Sequence, residues 1–475
     1  MWLGVDLGTS SLKTLVIDEG GRVLHRGRRD YPLRRPQADY VEQDPADWIA
    51  ALEAVIAAIH PQLRARIEGI AVDGHVPSLV ALDAQHRPLR PSIIWQDSRA
   101  AEEARMLQRE CGDATAALGT RLPWNASQLH AKAAWIARHE PELRTATRWL
   151  VSPKDFVNLY LTGDIATDAW TSKGLVNVVT GEPASRVLAA AGWTSEVVPP
   201  VEPPHAPLGA LRPGLARTWG MNPLTAVAVG WTDAMTSILA VDTFAAPTGF
   251  ALAGTSDIVG VSAQRADDIP ELYLVPDSVA PLALSYGPTQ LSGGSLAWIA
   301  RILGVDVPSA LDLAATATAH RPTFVPYLAG ERAPVWNPHV RGSFLGVEEQ
   351  HGPAELAAAV VDGVVLSNSH IIDVARTATG TAPAEVHVGG RGTDHPTLVA
   401  GRTGAFDQPI VVHREPNLSA LGAARLAALM AGTTLDTSPH DTRRHDPSPA
   451  DRHLWTERRA AYRRATQFAL EWSTT

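Results

Sequence analysis

Asp6 ends an apolar run, Trp2-Leu3-Gly4-Val5, and is followed at once by Gly8-Thr9-Ser10 and by Lys13. A glycine turn lets backbone N–H groups come close to an anion, because no Cβ stands in the way. Thr9 and Ser10 add hydroxyl donors, Lys13 adds a positive charge, and Asp6 could hold a cation or its water. Together these groups could seat a polyphosphate with its metal, although the same turn is an ordinary hairpin in most chains. The feature recurs at Gly254-Thr255-Ser256, again between two apolar stretches, Phe250–Ala253 and Ile258–Val261. A third acid, Asp233, follows the apolar run Leu224–Val229 at the mouth of a helix, where it reads as a helix N-cap. Two polar clusters, Asp73-Gly74-His75 and Trp95-Gln96-Asp97 with Arg99, offer donors, acceptors and an aromatic surface, as a hydroxyl-rich ligand requires. His75 also reads as a surface histidine, and Asp97 with Arg99 as an ion pair capping the next helix.

The elements that must position these groups follow from periodicity. Apolar residues at 3, 5 and 7 alternate with Gly4, Asp6 and Gly8, and Leu12 to Ile17 gives a second strand, so Gly8–Ser11 is a tight turn. Asp44-Pro45 opens a helix: the aspartate suits the N-cap, the proline suits the first helical position, and Trp48, Leu52, Ile56 and Ile59 share one face. Ile67–Val72 and Leu79–Asp83 are strands whose ends carry the polar loops. Gly181–Ala210 is proline-dense and reads as an extended connector, and Arg452–Trp472 as an amphipathic helix with a solvated charged face. The two Gly-Thr-Ser turns, about half a chain apart, suggest two related halves.

Two such turns resemble the plan of the superfamily of sugar kinases, heat-shock chaperones and actin. The resemblance narrows with Val41-Glu42-Gln43-Asp44-Pro45, Asp47-Trp48, Trp95-Gln96-Asp97, Leu129-His130-Ala131-Lys132, Pro153-Lys154-Asp155-Phe156 and Thr167-Asp168. Together these are similar to the FGGY carbohydrate kinases, and the first half looks most like their xylulose-specific members. The similarity implies an α/β fold of two actin-like (ribonuclease H-like) ATPase domains with a deep interdomain cleft. The domains are expected at 1–222 and 223–475, with the C-terminal helix a candidate to pack back on the first. It also implies phosphorylation of a sugar hydroxyl by ATP with Mg²⁺, most simply on a pentulose, with another ketose or a polyol as the alternative and a non-catalytic sugar sensor as a further one.

Carried over residue by residue, the resemblance makes Asp233 the catalytic base and makes Asp73, His75, Trp95, Asp97, Arg99 and Asp233 the sugar contacts. Gly8, Thr9, Ser10, Lys13, Gly254, Thr255, Gly293, Gly389, Gly390 and Asp394 fall to the nucleotide, and Asp6 and Asp233 to the metal. Two departures stand out. Val76-Pro77 occupies the place of a Met-His pair that contacts sugar in xylulose kinases, and Arg391 and Asp394 replace a usual glycine and serine beside the adenosine.

Composition sets the outer limits. Hydrophobic residues are 45% and charged residues 19% of the chain, which is ordinary for a globular enzyme. A net charge of −9 argues against a nucleic-acid partner. Cys111 is the only cysteine, which excludes an internal disulfide and fits a reducing compartment. No signal peptide is expected before the first strand, and the apolar segment Thr225–Ala253 is broken by Asp233, Asp242 and Pro247, so a cytoplasmic enzyme without a membrane partner is expected. A homodimer is an allowed assembly. P-loop, Gly-x-Gly-x-x-Gly, zinc-type and Gly-x-Ser-x-Gly patterns are absent.

Overall fold

In the computed structural model, residues 1–433, 435 and 442–473 are described. The chain forms two compact units. One is Met1–Ala240 with the returning segment that starts at Asn417; the other is Val241–Pro416 with the C-terminal segment.

The first unit is built on a mixed sheet of β1 (Trp2–Leu7), β2 (Ser11–Ile17), β3 (Val23–Asp30), β4 (Gly69–Gly74), β5 (Pro207–Ala210), β6 (Ala226–Ala228) and β7 (Trp231–Thr232). Its order is β3-β2-β1-β4-β6-β5, with β7 also pairing to β4. β1, β4, β6 and β7 are parallel, whereas β2, β3 and β5 run antiparallel to their neighbours. Strands β1 and β4 are buried along their whole length, which matches their near-continuous apolar sequences. Helix Pro45–Ala58 covers one face, with Asp44 accepting from the Ala46 N–H at its start and Trp48, Leu52 and Ile56 buried, as its sequence signals require.

The second unit repeats the plan. Its strands are β8 (Gly249–Ala253), β9 (Ile258–Ala263), β10 (Tyr273–Val275), β11 (Ala283–Pro288), β12 (Val386–Gly390), β13 (Ile410–His413) and β14 (Thr442–His445). The order is β10-β11-β9-β8-β12-β13-β14, with β8, β12 and β13 parallel. In each unit an antiparallel hairpin is followed by parallel strands on the far side of its first strand, so the internal echo in the sequence is an echo in topology. The 27-residue helix Pro353–Thr379 is apolar and long enough to cross a membrane by length and composition, but it lies in the core of this unit. The Arg321–Asp362 pair, at 2.7 Å, meets one of its acids.

Three expectations about organisation change. The units part at Ala240/Val241 rather than 222/223, because Trp231–Thr232 pairs with β4 and the helix Asp233–Ala240 continues from it. Helix Leu418–Met430 returns to the first unit, where Gly422 lies so close to the helix of Asp233 that a Cβ would sit 1.7 Å from the Thr236 carbonyl oxygen. The C-terminal helix Arg452–Trp472 belongs to the second unit, burying Trp455, Tyr462 and Ala465, and the Tyr462 hydroxyl meets that of Tyr327 at 3.2 Å. The proline-dense connector also holds a short helix, Ser185–Ala190, and the edge strand β5.

Candidate active site

Parallel strands present their C-terminal ends on one side of a sheet, and ligands gather there. In the first unit three acids collect at that edge. Asp6 on β1 is in register with Asp73 on β4, Trp231 on β7 is in register with Asp73, and Asp233 follows β7 by one residue. Asp6 is buried and accepts from the Lys13 ammonium at 2.8 Å, with Lys13 facing it from β2. Asp6 and burial pull on this lysine in opposite directions; the charge of Asp6 wins and holds the ammonium above its ordinary pKa.

Asp73 is fully buried. Its Oδ2 accepts from the Thr236 hydroxyl at 2.8 Å, and its Oδ1 has no hydrogen-bond partner. Burial first, and then the charges of Asp6 and Asp233, push its pKa well above the ordinary value. Asp233 accepts from the Ala234 N–H at 2.7 Å. Although the residue keeps some accessible surface, its carboxyl is packed among protein atoms. Burial and the charge of Asp6 push its pKa up to about 7, against the opposing pull of the Ala234 N–H, Lys173 and Lys13. A carboxylate with a pKa near the working pH is suited to general-base chemistry.

The approach to Asp233 is fixed from behind. Gly230, at φ +82°, turns the chain between β6 and β7. The Val229 carbonyl just before it accepts from Lys154 Nζ at 3.0 Å and from Asn158 Nδ2 at 2.8 Å. Both side chains come from helix Pro153–Thr162, whose Ser152–Asp155 capping box defines its start. Lys154 is completely buried and pairs with Asp155 at 2.6 Å and Asp168 at 3.1 Å. The two carboxylates outweigh the burial cost and hold its pKa above the ordinary value.

The first Gly-Thr-Ser turn is gripped rather than free. Gly8 N–H donates to the Ser11 carbonyl at 3.1 Å, and the Tyr31 hydroxyl bonds the Gly8 carbonyl. Gln43 Nε2 donates to the Thr9 carbonyl at 2.6 Å, and Trp95 Nε1 donates to Thr9 Oγ1 at 2.9 Å. Thr9 keeps its own hydroxyl proton, and Ser10 is exposed. The Gly8 N–H is therefore not an anion donor, and Trp95 supports this turn.

His75, Asp97 and Arg99 differ from the expectation of direct sugar contact. Both ring nitrogens of His75 are engaged, with Ser78 Oγ at 2.7 Å and Gln43 Oε1 at 3.1 Å, and burial lowers its pKa to about 3, so the ring is neutral. Asp97 accepts from the Val41 N–H at 2.6 Å and from Arg99. The Arg99 side chain is 1% exposed, bonds Glu42 at 2.7 Å and lies 3.6 Å from the Tyr40 ring centroid. Asp97 and Arg99 are spent on a buried ion network that holds the loop, and His75 on its bonds to Ser78 and Gln43. The pair does not cap the next helix, whose N-cap has no side-chain bond.

In the second unit the equivalent turn lies at the end of β8. Gly254 N–H donates to Asp257 Oδ1 at 3.2 Å, so this glycine too spends its N–H inside the turn, while Thr255 is exposed. A Cβ on Gly293 would stand 2.3 Å from the Gly254 carbonyl oxygen, and Gly294 N–H donates to the Thr255 carbonyl at 3.2 Å. The start of helix Ser292–Leu303 is thus laid directly on the turn, adding its positive end to it. Gly389 and Gly390 end β12 beside Ala253 of β8, and Asp394 is exposed in the loop that follows. Arg332, which the sequence reading gave no role, bonds Ser256 Oγ and the Thr289 carbonyl and braces the same turn.

Gln43, Tyr31, Thr236, Lys154 and Arg332 were missed as site builders. Gln43 and Lys154 sit inside quoted motifs, which was the available signal. Tyr31 and Thr236 have partners far away in sequence and gave none.

Comparison with known proteins accords with this arrangement. Residues 1–240 match the N-terminal domain and residues 249–431 the C-terminal domain of the FGGY family of carbohydrate kinases. The xylulose kinase of Escherichia coli (strain K12) is 30% identical over 441 residues, covering 91% of this chain and 90% of that protein. The gluconokinase of Bacillus subtilis (strain 168) is 26% identical, covering 90% and 87%. The crystal structure of xylulose kinase from Rhodospirillum rubrum superimposes with a TM-score of 0.91 at 27% identity over 100% of both chains. The acids at the strand ends, the two turns and these matches have one conclusion: the chain belongs to the FGGY family of carbohydrate kinases.

Proposed function

We propose that this kinase transfers the γ-phosphoryl group of ATP to a hydroxyl of a pentulose, in the first instance the 5-hydroxyl of D-xylulose. The observation that carries the reading is the Asp233 carboxyl, raised to about 7 and set at a strand end beside the Asp6–Lys13 pair. Asp233 takes the proton of the attacking hydroxyl as the bond to phosphorus forms. Asp73, whose pKa is raised by burial and by the charges of Asp6 and Asp233, holds its carboxyl beside those two acids. In the first unit Lys13, Thr9 and Ser10 are assigned to phosphate oxygens; in the second unit Thr255, with the helix start at Gly293 behind it, is likewise assigned to an anion. Gly389, Gly390 and Asp394 are assigned to the nucleoside. Trp95, His75, Asp97 and Arg99 shape the sugar loop, in which Trp95 is half-buried.

A magnesium ion suits the oxygen donors here: Asp6 and Asp233 are carboxylates, and Asp73 Oδ1 is buried without a partner. Among the described residues no three His, Cys, Asp or Glu side chains are grouped to hold a metal alone. Magnesium needs only one or two carboxylates together with waters and substrate phosphates. When bound it supplies charge neutralisation of the phosphates. The net charge of −9, the single cysteine and the burial of the apolar helix support a cytoplasmic enzyme without nucleic-acid or membrane partners.

Val76-Pro77 favours a second reading, a different ketose or a polyol. Neither residue carries an imidazole, and Lys132 Nζ bonds the Pro77 carbonyl at 2.6 Å, which holds this loop. Catalytic efficiency on D-xylulose, D-ribulose, L-ribulose, gluconate and several polyols decides between the two. The first reading expects D-xylulose to lead the ketoses. A polyol or another ketose ahead of it by about tenfold or more, a difference of ~1.4 kcal/mol, overturns it.

A further inference from the structure

Lys173 is a buried cation that the mechanism above does not use. It is 8% exposed, and its ammonium donates to one acceptor among the described residues, the Trp170 carbonyl at 3.2 Å, while lying 5.1 Å from the Trp170 ring centroid. An ammonium carries three donors and no acceptor, so two N–H groups are left without a protein partner there. Leaving them so costs free energy unless something else supplies the oxygen.

The position of this lysine is fixed by the network that also fixes Asp233. Asp168 Oδ1 accepts the N–H groups of Trp170 at 3.1 Å and Thr171 at 3.0 Å, which folds the turn that carries Lys173. Asp168 Oδ2 pairs with Lys154 at 3.1 Å, and the same Lys154 ammonium holds the Val229 carbonyl at 3.0 Å. One buried ammonium therefore ties the Lys173 turn to the strand end that delivers Asp233. The charges of Lys173 and Asp233 act on each other, each favouring the ionised form of its partner.

Asp6 and Asp233 at the strand ends are acceptors, and sugar hydroxyls can satisfy such groups by donating. Of the two lysines whose charges act on Asp233, Lys13 is paired with Asp6, whereas Lys173 keeps two donors to spare and asks for an oxygen that need not carry a proton.

Resting on the kinase reading, we propose that Lys173 is a substrate-binding and specificity-determining residue. It donates to an sp² oxygen of the molecule whose hydroxyl faces Asp233, either the carbonyl of a ketose or the carboxylate of an aldonic acid. Such an oxygen is a stronger acceptor than a hydroxyl and pairs with the cation as a charge-assisted bond. A polyol lacks it.

The test compares the parent chain with Lys173→Met, Lys173→Gln and Lys173→Arg, using ketopentoses, gluconate and the matching polyols as substrates. Circular dichroism and thermal melting check the fold, and calorimetric titration of each sugar without ATP gives a readout independent of turnover. Expected for Lys173→Met and Lys173→Gln is a rise of about tenfold or more in KM and in sugar Kd for whichever sp²-oxygen substrate the parent uses. The KM for ATP should stay within about twofold, polyol binding should be nearly unchanged, and Lys173→Arg should recover part of the affinity. Loss for the ketose identifies the carbonyl as the partner; loss for gluconate identifies the carboxylate. An unchanged sugar KM and Kd in a folded Lys173→Met variant overturns the proposal and leaves the kinase reading intact. So does an equal loss for polyols and ketoses. A parent that phosphorylates none of these substrates overturns both.

Discussion

Replacing Asp233 by asparagine should lower kcat by roughly 10²–10⁴ while sugar and ATP affinities stay close to those of the parent. The amide keeps the shape of the carboxyl and can still accept from the Ala234 N–H, so the start of the helix Asp233–Ala240 is preserved. What it loses is the ability to take a proton from the attacking hydroxyl. Asp6→Asn should behave differently. It removes the partner of Lys13, and the defect should show in nucleotide affinity and in the magnesium concentration needed for half-maximal rate. If Asp233→Asn turns over sugar within about threefold of the parent, another group is the base.

Lys154→Met should be the most destabilising single change in the first unit. It removes the ammonium shared by Asp155, Asp168 and the Val229 carbonyl, and leaves two carboxylates buried without their cation. Breaking a buried ion pair from one side costs about 3–5 kcal/mol, because the remaining charge is uncompensated. The expected result in urea unfolding or calorimetry is a large shift of the transition that belongs to the first unit, with the second unit's transition in place. Two units in one chain call for that separation. A total change below about 1 kcal/mol would mean that the three groups are not coupled as the distances state.

The chemistry was legible in the sequence where its parts are neighbours in the chain. Asp6, Thr9, Ser10 and Lys13 lie within one hairpin, so period-two alternation and a glycine turn locate them together. Asp233 was legible as a polar residue ending an apolar strand. Asp97 and Arg99 were misjudged because adjacency along a loop does not say which way a side chain turns. Their partners are Val41, Glu42 and Tyr40, more than fifty positions away, and those contacts draw the pair inward. His75 was drawn in the same way by Gln43.

The domain boundary was hidden for a related reason. Proline density marks an extended segment, but Pro207–Ala210 within it is an edge strand of the first sheet, and the chain stays in that unit through Ala240. No local pattern announces that Leu418–Met430 returns to the first unit. The small residues Ala420, Gly422, Ala423 and Ala424 permit the close approach, but they read equally as an ordinary apolar helix. The glycines of the two turns were found, whereas their work was misassigned. Gly8 and Gly254 spend their N–H groups within the turn, which leaves the hydroxyls and Lys13 to meet an anion.

The pH dependence of sugar phosphorylation in the parent and in Asp233→Asn tests the central claim most directly. Asp233 must be ionised to accept a proton. Its pKa is raised to about 7 by burial and by Asp6, so the base is progressively lost as pH falls through that value. The account predicts that kcat/KM for sugar falls about tenfold per pH unit on the acid side, with a midpoint above the ordinary carboxylate range, and that Asp233→Asn has lost this limb. A parent profile flat down to the ordinary carboxylate range, or an acid limb that survives unchanged in folded Asp233→Asn, would contradict it.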